Sequence, residues 1–213
     1  MMERKFTQLQ IKEKTNLNYF TSDPHLGHEK AINFPDRKSF TIDSWAEMFY
    51  DKVNSRVSKG DRLYILGDFG FGKEKDIRKY REKIKLKDVW LIRGNHDPST
   101  EVISKVFGTK WRETHECKIK GAPTWMSHYP HLAWPKSHYG SFHLYGHLHD
   151  QRTDFWNTVE FLKERRMLDV CPESYKRHFG DWGIFSENEI YDILSVRQGH
   201  DNVEWYRNQK GGI

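Results

Sequence analysis

Five predicted strands of this chain each end in a loop whose residues can hold a metal ion, and that repetition limits the fold more than any other feature. Leu17 to Ser22 reads as a short strand running into Asp23-Pro24-His25. Arg62 to Leu66 leads to Gly67-Asp68-Phe69-Gly70-Phe71-Gly72, and Val89 to Ile92 leads to Gly94-Asn95-His96-Asp97. His128 follows the strand Thr124 to Ser127, and Gly146-His147-Leu148-His149 follows Phe142 to Tyr145. In layered α/β folds the ends of neighbouring strands converge on one crevice. Five loops can therefore bring carboxylates, an amide and several imidazoles to a single place.

Helices alternate with the early strands. Ile42, Trp45, Phe49, Val53 and Val57 fall on one face of a helix that closes at Lys59-Gly60. A second helix over Lys73 to Lys83 buries Ile77, Tyr80 and Ile84, and a shorter one spans Thr100 to Phe107. Thr114 to Ile119 adds another strand, and Ser186-x-x-Glu189 is a capping box that opens a late helix. Alternating strands and helices followed by grouped strands predict an α/β domain with a mixed sheet. The 213 residues suit a single domain, 1–213, with its motifs in 17–150 and residues 151–183 as a peripheral lid or insertion.

The ligand types narrow the chemistry. Imidazole with carboxylate suits manganese, iron, zinc or nickel, and the absence of thiolate argues against a closed structural zinc site. Two metals close together need a carboxylate able to bridge them.

The order Asp23-x-His25, Gly67-Asp68, Gly94-Asn95-His96-Asp97, His128, Gly146-His147-x-His149 resembles the calcineurin-like metallophosphoesterase superfamily. The stretches Tyr19 to Asp23, Leu91 to Asp97 and Ser127 to Pro130 look like its small bacterial and phage branch. After Asp150 the match weakens, and the expected valine- and glycine-rich strand is present only as Met167-Leu168-Asp169-Val170. The resemblance implies a four-layer α/β/β/α sandwich with mixed sheets and two divalent metal ions, Mn²⁺ first, with Fe, Zn or Ni as alternatives. It implies that Asp23, His25 and His149 hold one metal, that Asn95, His128 and His147 hold the other, and that Asp68 bridges them. It places His96 beside the phosphate as a general acid or a stabiliser of charge. The implied activity is phosphoester hydrolysis by attack of hydroxide held between the metals. A small phosphodiester, nucleotide-like or otherwise, is the expected substrate. A nuclease acting on DNA or RNA, a phosphomonoesterase and a non-catalytic scaffold are the alternatives.

Other residues have bland readings beside the functional ones. His28, His131, His138 and His143 have no motif role, and His28 and His131 are the best placed to support a ligand or touch substrate. Arg93 is either a phosphate contact or a structural arginine. Trp125, Tyr129, Trp134 and Tyr139 are expected to pack, with Tyr129 and Trp134 as the exceptions free to stack on a base. The net charge of +5 fits an anionic partner. The basic run Lys73 to Lys87 alternates with Glu74, Asp76 and Glu82, so it reads as the wet side of a helix, and nucleic acid is not favoured. Two cysteines form no disulfide framework. No membrane span is expected, a cytoplasmic location is, and the oligomeric state is left open.

Overall fold

Period-two alternation along the first strands separates two cores. The computed structural model describes residues 16–150 and 165–197. In β1 (Asn18–Thr21), β2 (Arg62–Ile65) and β3 (Val89–Ile92), Tyr19, Leu63, Ile65, Val89 and Leu91 point to one cluster. Phe20, Tyr64 and Ile92, with Leu66 just past β2, point to the other. The three strands run parallel, joined by β4 (Trp111–Arg112) on one side and antiparallel β9 (Phe185–Ser186) on the other. A second sheet orders β5 (Thr114–Ile119), β6 (Ala122–Ser127), β7 (Phe142–Tyr145) and β8 (Met167–Asp169), the first pair antiparallel and the rest parallel.

Three helices cover the outer face of the first sheet: α1 (Ile42–Arg56), α2 (Glu74–Lys83) and α3 (Thr100–Phe107). Trp45, Phe49, Tyr50 and Val53 form the buried stripe of α1, and reciprocal bonds between Thr41 and Ser44 cap its start. Ile77 of α2 and Ile103 and Phe107 of α3 complete that layer. Between the sheets, Ile119, Met126, Phe142, Leu144 and Leu168 meet Phe20, Tyr64 and Phe185. Ile190 and Leu194 of α5 (Glu187–Ser195) close the same core, and the Ser186–Glu189 capping box is present. Two mixed sheets packed face to face and flanked by helices are the architecture expected. The outer face of the second sheet is also covered by a loop, where Trp134 and His131 lie against His143 and Trp125.

Of the stretch 151–183, residues 151–164 lie outside the described residues. The remainder supplies β8 and α4 (Pro172–Phe179), so Met167-Leu168-Asp169 is a strand of the second sheet. No helix among the described residues is long and apolar enough to cross a membrane. Cys117 and Cys171 are free thiols.

Candidate metal centre

Because β1, β2 and β3 are parallel, and β6, β7 and β8 likewise, the C-terminal ends of both sheets meet at one edge. The loops are stitched to each other there. Asp23 N–H donates to Gly67 O at 2.9 Å, and His25 N–H to Asp68 O at 3.0 Å. Gly146 N–H donates to His128 O at 2.9 Å, and His147 N–H crosses between sheets to Asp23 Oδ2 at 2.9 Å.

The turns are sharp enough to force ligand residues into the left-handed region. Asp23, His25, Asp68, His147 and His149 all have φ between 48° and 72°. They are five of the eight non-glycine residues described with positive φ, so the strain is concentrated where the side chains must converge. Glycines create the room. A Cβ on Gly94 would lie 2.5 Å from Asp68 N, and one on Gly146 would lie 2.6 Å from Ser22 Cβ, beside Asp23. One on Gly67 would run into the His128 ring, 2.7 Å from its Cγ. The Gly-Asp, Gly-Asn-His-Asp and Gly-His pairings of the sequence thus have a steric cause.

The converging side chains form two groups, Asp23 with His25 and His149, and Asp68 with His128 and His147. Each could hold a metal ion. Asp68 Oδ2 lies 3.5 Å from His25 Nε2 and 3.5 Å from His128 Nε2, one ring from each group. Its other oxygen is fixed by the His96 backbone N–H at 2.8 Å.

The donor set fits cations. His128 Nδ1 lies 2.9 Å from the Leu66 carbonyl, which takes its N–H and leaves Nε2 a lone pair. That nitrogen faces Asn95 Oδ1 at 2.9 Å as well as Asp68. In the first group His25 Nε2 and His149 Nε2 stand 3.1 Å apart, and Asp23 Oδ1 is buried beside them without a hydrogen-bond partner. A cluster of ring nitrogens around a partnerless carboxylate oxygen is one that a bound cation would satisfy. Burial, with Asp169 and Asp68 nearby, pushes the Asp23 carboxyl well above the usual carboxylate range. Burial holds the imidazoles of His25, His128, His147 and His149 below their ordinary value, which keeps them neutral and able to ligate.

His25, His28, Phe34, Asp68, His96, His147 and His149 line a cleft of about 250 Å³. His96 is exposed, its ring centre 5.4 Å from those of His25 and His28. His28 lies beside its neighbouring ligand, Nδ1 3.4 Å from His25 Nδ1, and stacks on exposed Phe71. His131 instead turns to the back of the second sheet, its N–H donating to His143 Nε2 at 3.1 Å. Arg93 faces Glu113 at 3.6 Å. The two aromatic exceptions part ways. Tyr129 is 45% exposed with its ring 4.5 Å from that of His147, whereas Trp134 is 7% exposed and donates its indole N–H to Ser141. Trp134 therefore packs, as Trp125 does.

Of three supporting residues, Arg37 and Glu173 escaped the sequence reading and Asp97 was named there only as the end of its motif. Asp97 accepts from Asp68 N–H, Phe69 N–H and Gly94 N–H, pinning one ligand loop to the next. Burial pushes its carboxyl up to about 7 against the pull of those donors. Its place in the third motif was the available signal. Arg37 and Glu173 form a buried ion pair behind His149 and Asp23, with no motif to mark either.

No family model matches the chain. An uncharacterized protein of Methanocaldococcus jannaschii is 28% identical over 157 residues, 73% of this chain and 81% of its own length. Among solved structures, a protein of unknown function from Aquifex aeolicus superposes with a TM-score of 0.62 at 21% identity, covering 84% of this chain and 99% of that one. At that identity the likeness is one of fold. A phosphoesterase from E. coli aligns at 20% identity with a TM-score of 0.38, over 64% of this chain and 74% of its own.

Proposed function

We propose that this chain is a metal-dependent phosphoester hydrolase with two divalent ions, acting as a phosphodiesterase on a small, nucleotide-like substrate. The observation that carries the reading is the place of Asp68 Oδ2, 3.5 Å from a histidine nitrogen of each donor group. A carboxylate so placed can be shared between two ions. Asp23, His25 and His149 would hold one ion, and Asn95, His128 and His147 the other. Bound there, the pair supplies an activated water and neutralises charge on the phosphoryl oxygens. Manganese suits the mixed nitrogen and oxygen donors, and iron, zinc and nickel are the other candidates.

His96 is the catalytic residue among the chain's own groups. It is exposed at the cleft beside His25, and an imidazole there can give a proton to the leaving oxygen. Phe71 and Tyr129 are half exposed next to His28 and His147, offering flat apolar faces for a base or other aromatic group.

The test is hydrolysis of bis-p-nitrophenyl phosphate against p-nitrophenyl phosphate, with added Mn²⁺ and with chelator. Chelator-sensitive turnover favouring the diester supports the reading, and preference for the monoester moves it to a phosphatase. Two bound metals with no turnover of either compound would favour a scaffold.

A further inference from the structure

Arg37 is fully buried, stacked 4.0 Å above the Trp45 ring. Its Nε donates to Glu173 Oε1 at 2.5 Å and its Nη2 to the Asp23 carbonyl at 2.9 Å. The pair lies directly behind His149. His149 Nδ1 is 3.4 Å from Arg37 Nη2 and 4.0 Å from Glu173 Oε2. Glu173 Oε2 is buried and lacks a hydrogen-bond partner among the described residues.

A guanidinium can only donate and a carboxylate can only accept, so the pair offers Nδ1 two opposite choices. Paired with Arg37, Nδ1 is the acceptor and Nε2 carries the hydrogen, which fits the 3.1 Å contact from His149 Nε2 to His25 Nε2. Paired with Glu173, Nδ1 carries the hydrogen and Nε2 presents a lone pair toward Asp23 Oδ1, 3.7 Å away. Only the second tautomer can ligate a metal through Nε2. Its Nδ1–H would also supply the orphaned Oε2 with a donor once the 4.0 Å gap closes to hydrogen-bond length. The exchange releases a proton from Nε2 and takes one up at Nδ1, so the net charge of the ring is unchanged.

We infer that Glu173, anchored by Arg37, is the positioning residue that selects the ligating tautomer of His149, so that the pair works as a two-way tautomer switch at the Asp23 metal group. The inference rests on the two-metal reading. Acceptors behind metal-ligating histidines commonly contribute tenfold or more to metal affinity. In Glu173→Gln the amide oxygen stays on Arg37 Nε and the amide N–H₂ faces Nδ1, favouring the wrong tautomer with little change in shape.

The experiment is a Zn²⁺ titration of chelator-treated, ¹⁵N-labelled full-length protein. Calorimetry counts equivalents, and long-range ¹H–¹⁵N spectra report the tautomer of His149, identified by its loss in His149→Asn. The expected result is two equivalents, with His149 passing from Nε2–H before zinc to Nδ1–H after it. In Glu173→Gln one equivalent should weaken tenfold or more while the other holds, with binding measured well below a melting point that losing the buried charge pair lowers. If the variant binds both equivalents like wild type, or if His149 keeps one tautomer throughout, the switch is wrong although the metal centre stands. A wild-type protein that binds no zinc overturns the two-metal reading itself, and the switch with it.

Discussion

The Asp97 carboxylate accepts the backbone N–H of Asp68 at 3.0 Å, so the residue that ends the third motif holds the second motif in place. The same carboxylate takes the N–H groups of Phe69 and Gly94 at 2.8 Å each. Asp97→Ala would leave three buried donors without an acceptor, and each costs about 1–3 kcal/mol. The expected outcome is a loss of roughly 3 kcal/mol or more in urea unfolding of chelator-treated protein, with weaker metal retention. Asp97→Asn keeps one acceptor oxygen and should fall between the two.

Asp68 and His96 divide their tasks in a way that substitution can separate. It is the backbone N–H of His96, not its ring, that fixes Asp68 Oδ1. His96→Ala keeps that bond, so metal content should be unchanged while turnover drops by about 10²–10⁴, the usual worth of a general acid. Asp68→Ala removes the carboxylate that faces both groups and should lose both metals. Metal analysis beside kcat distinguishes the two, and metal loss in His96→Ala would overturn this division.

Two glycines offer a sharper contrast. A methyl group on Gly94 meets the backbone N and Oδ1 of Asp68, the shared residue. One on Gly146 meets Ser22 and Asp23, of which Asp23 belongs to the first group. Gly94→Ala should therefore weaken both metal equivalents, and Gly146→Ala mainly one. Calorimetric titration with Zn²⁺ reads the difference as two impaired sites against one.

The strand ends were legible because local signals agreed. Val89 to Ile92, Thr114 to Ile119 and Phe142 to Tyr145 have the bounds that alternation and turn residues predict, and the ligand loops follow from them. What stayed hidden depends on distance or direction. Glu173 meets Arg37 across 136 residues, and no local pattern marks either as buried. Tyr129 and Trp134 both follow His128 closely, yet one faces the ligands and the other the Ser141 carbonyl and hydroxyl. Sequence proximity carries no information about which face of a loop a ring occupies. The strands Trp111–Arg112 and Phe185–Ser186 span two residues each, too short to show a period.

His143 lies four residues before the first ligand of its loop and makes the domain sensitive to acid. Its ring is fully buried, with Nδ1 3.3 Å from the Trp125 carbonyl and Nε2 accepting the His131 N–H at 3.1 Å. Both nitrogens are used by the neutral ring, so a second proton would have to displace the His131 N–H. Burial holds the pKa at about 3, below the ordinary 6.5. Between those values the unfolded chain binds a proton that the folded chain refuses. Stability is therefore intact above about pH 6.5 and lost as pH falls toward 3. The slope from this residue is at most about 1.4 kcal/mol per pH unit. In His143→Gln the side chain cannot titrate, so the stability curve of chelator-treated protein should flatten over this range. Urea midpoints at pH 4, 5, 6 and 7 measure it, and equal slopes for variant and wild type would show that His143 is not the titrating group.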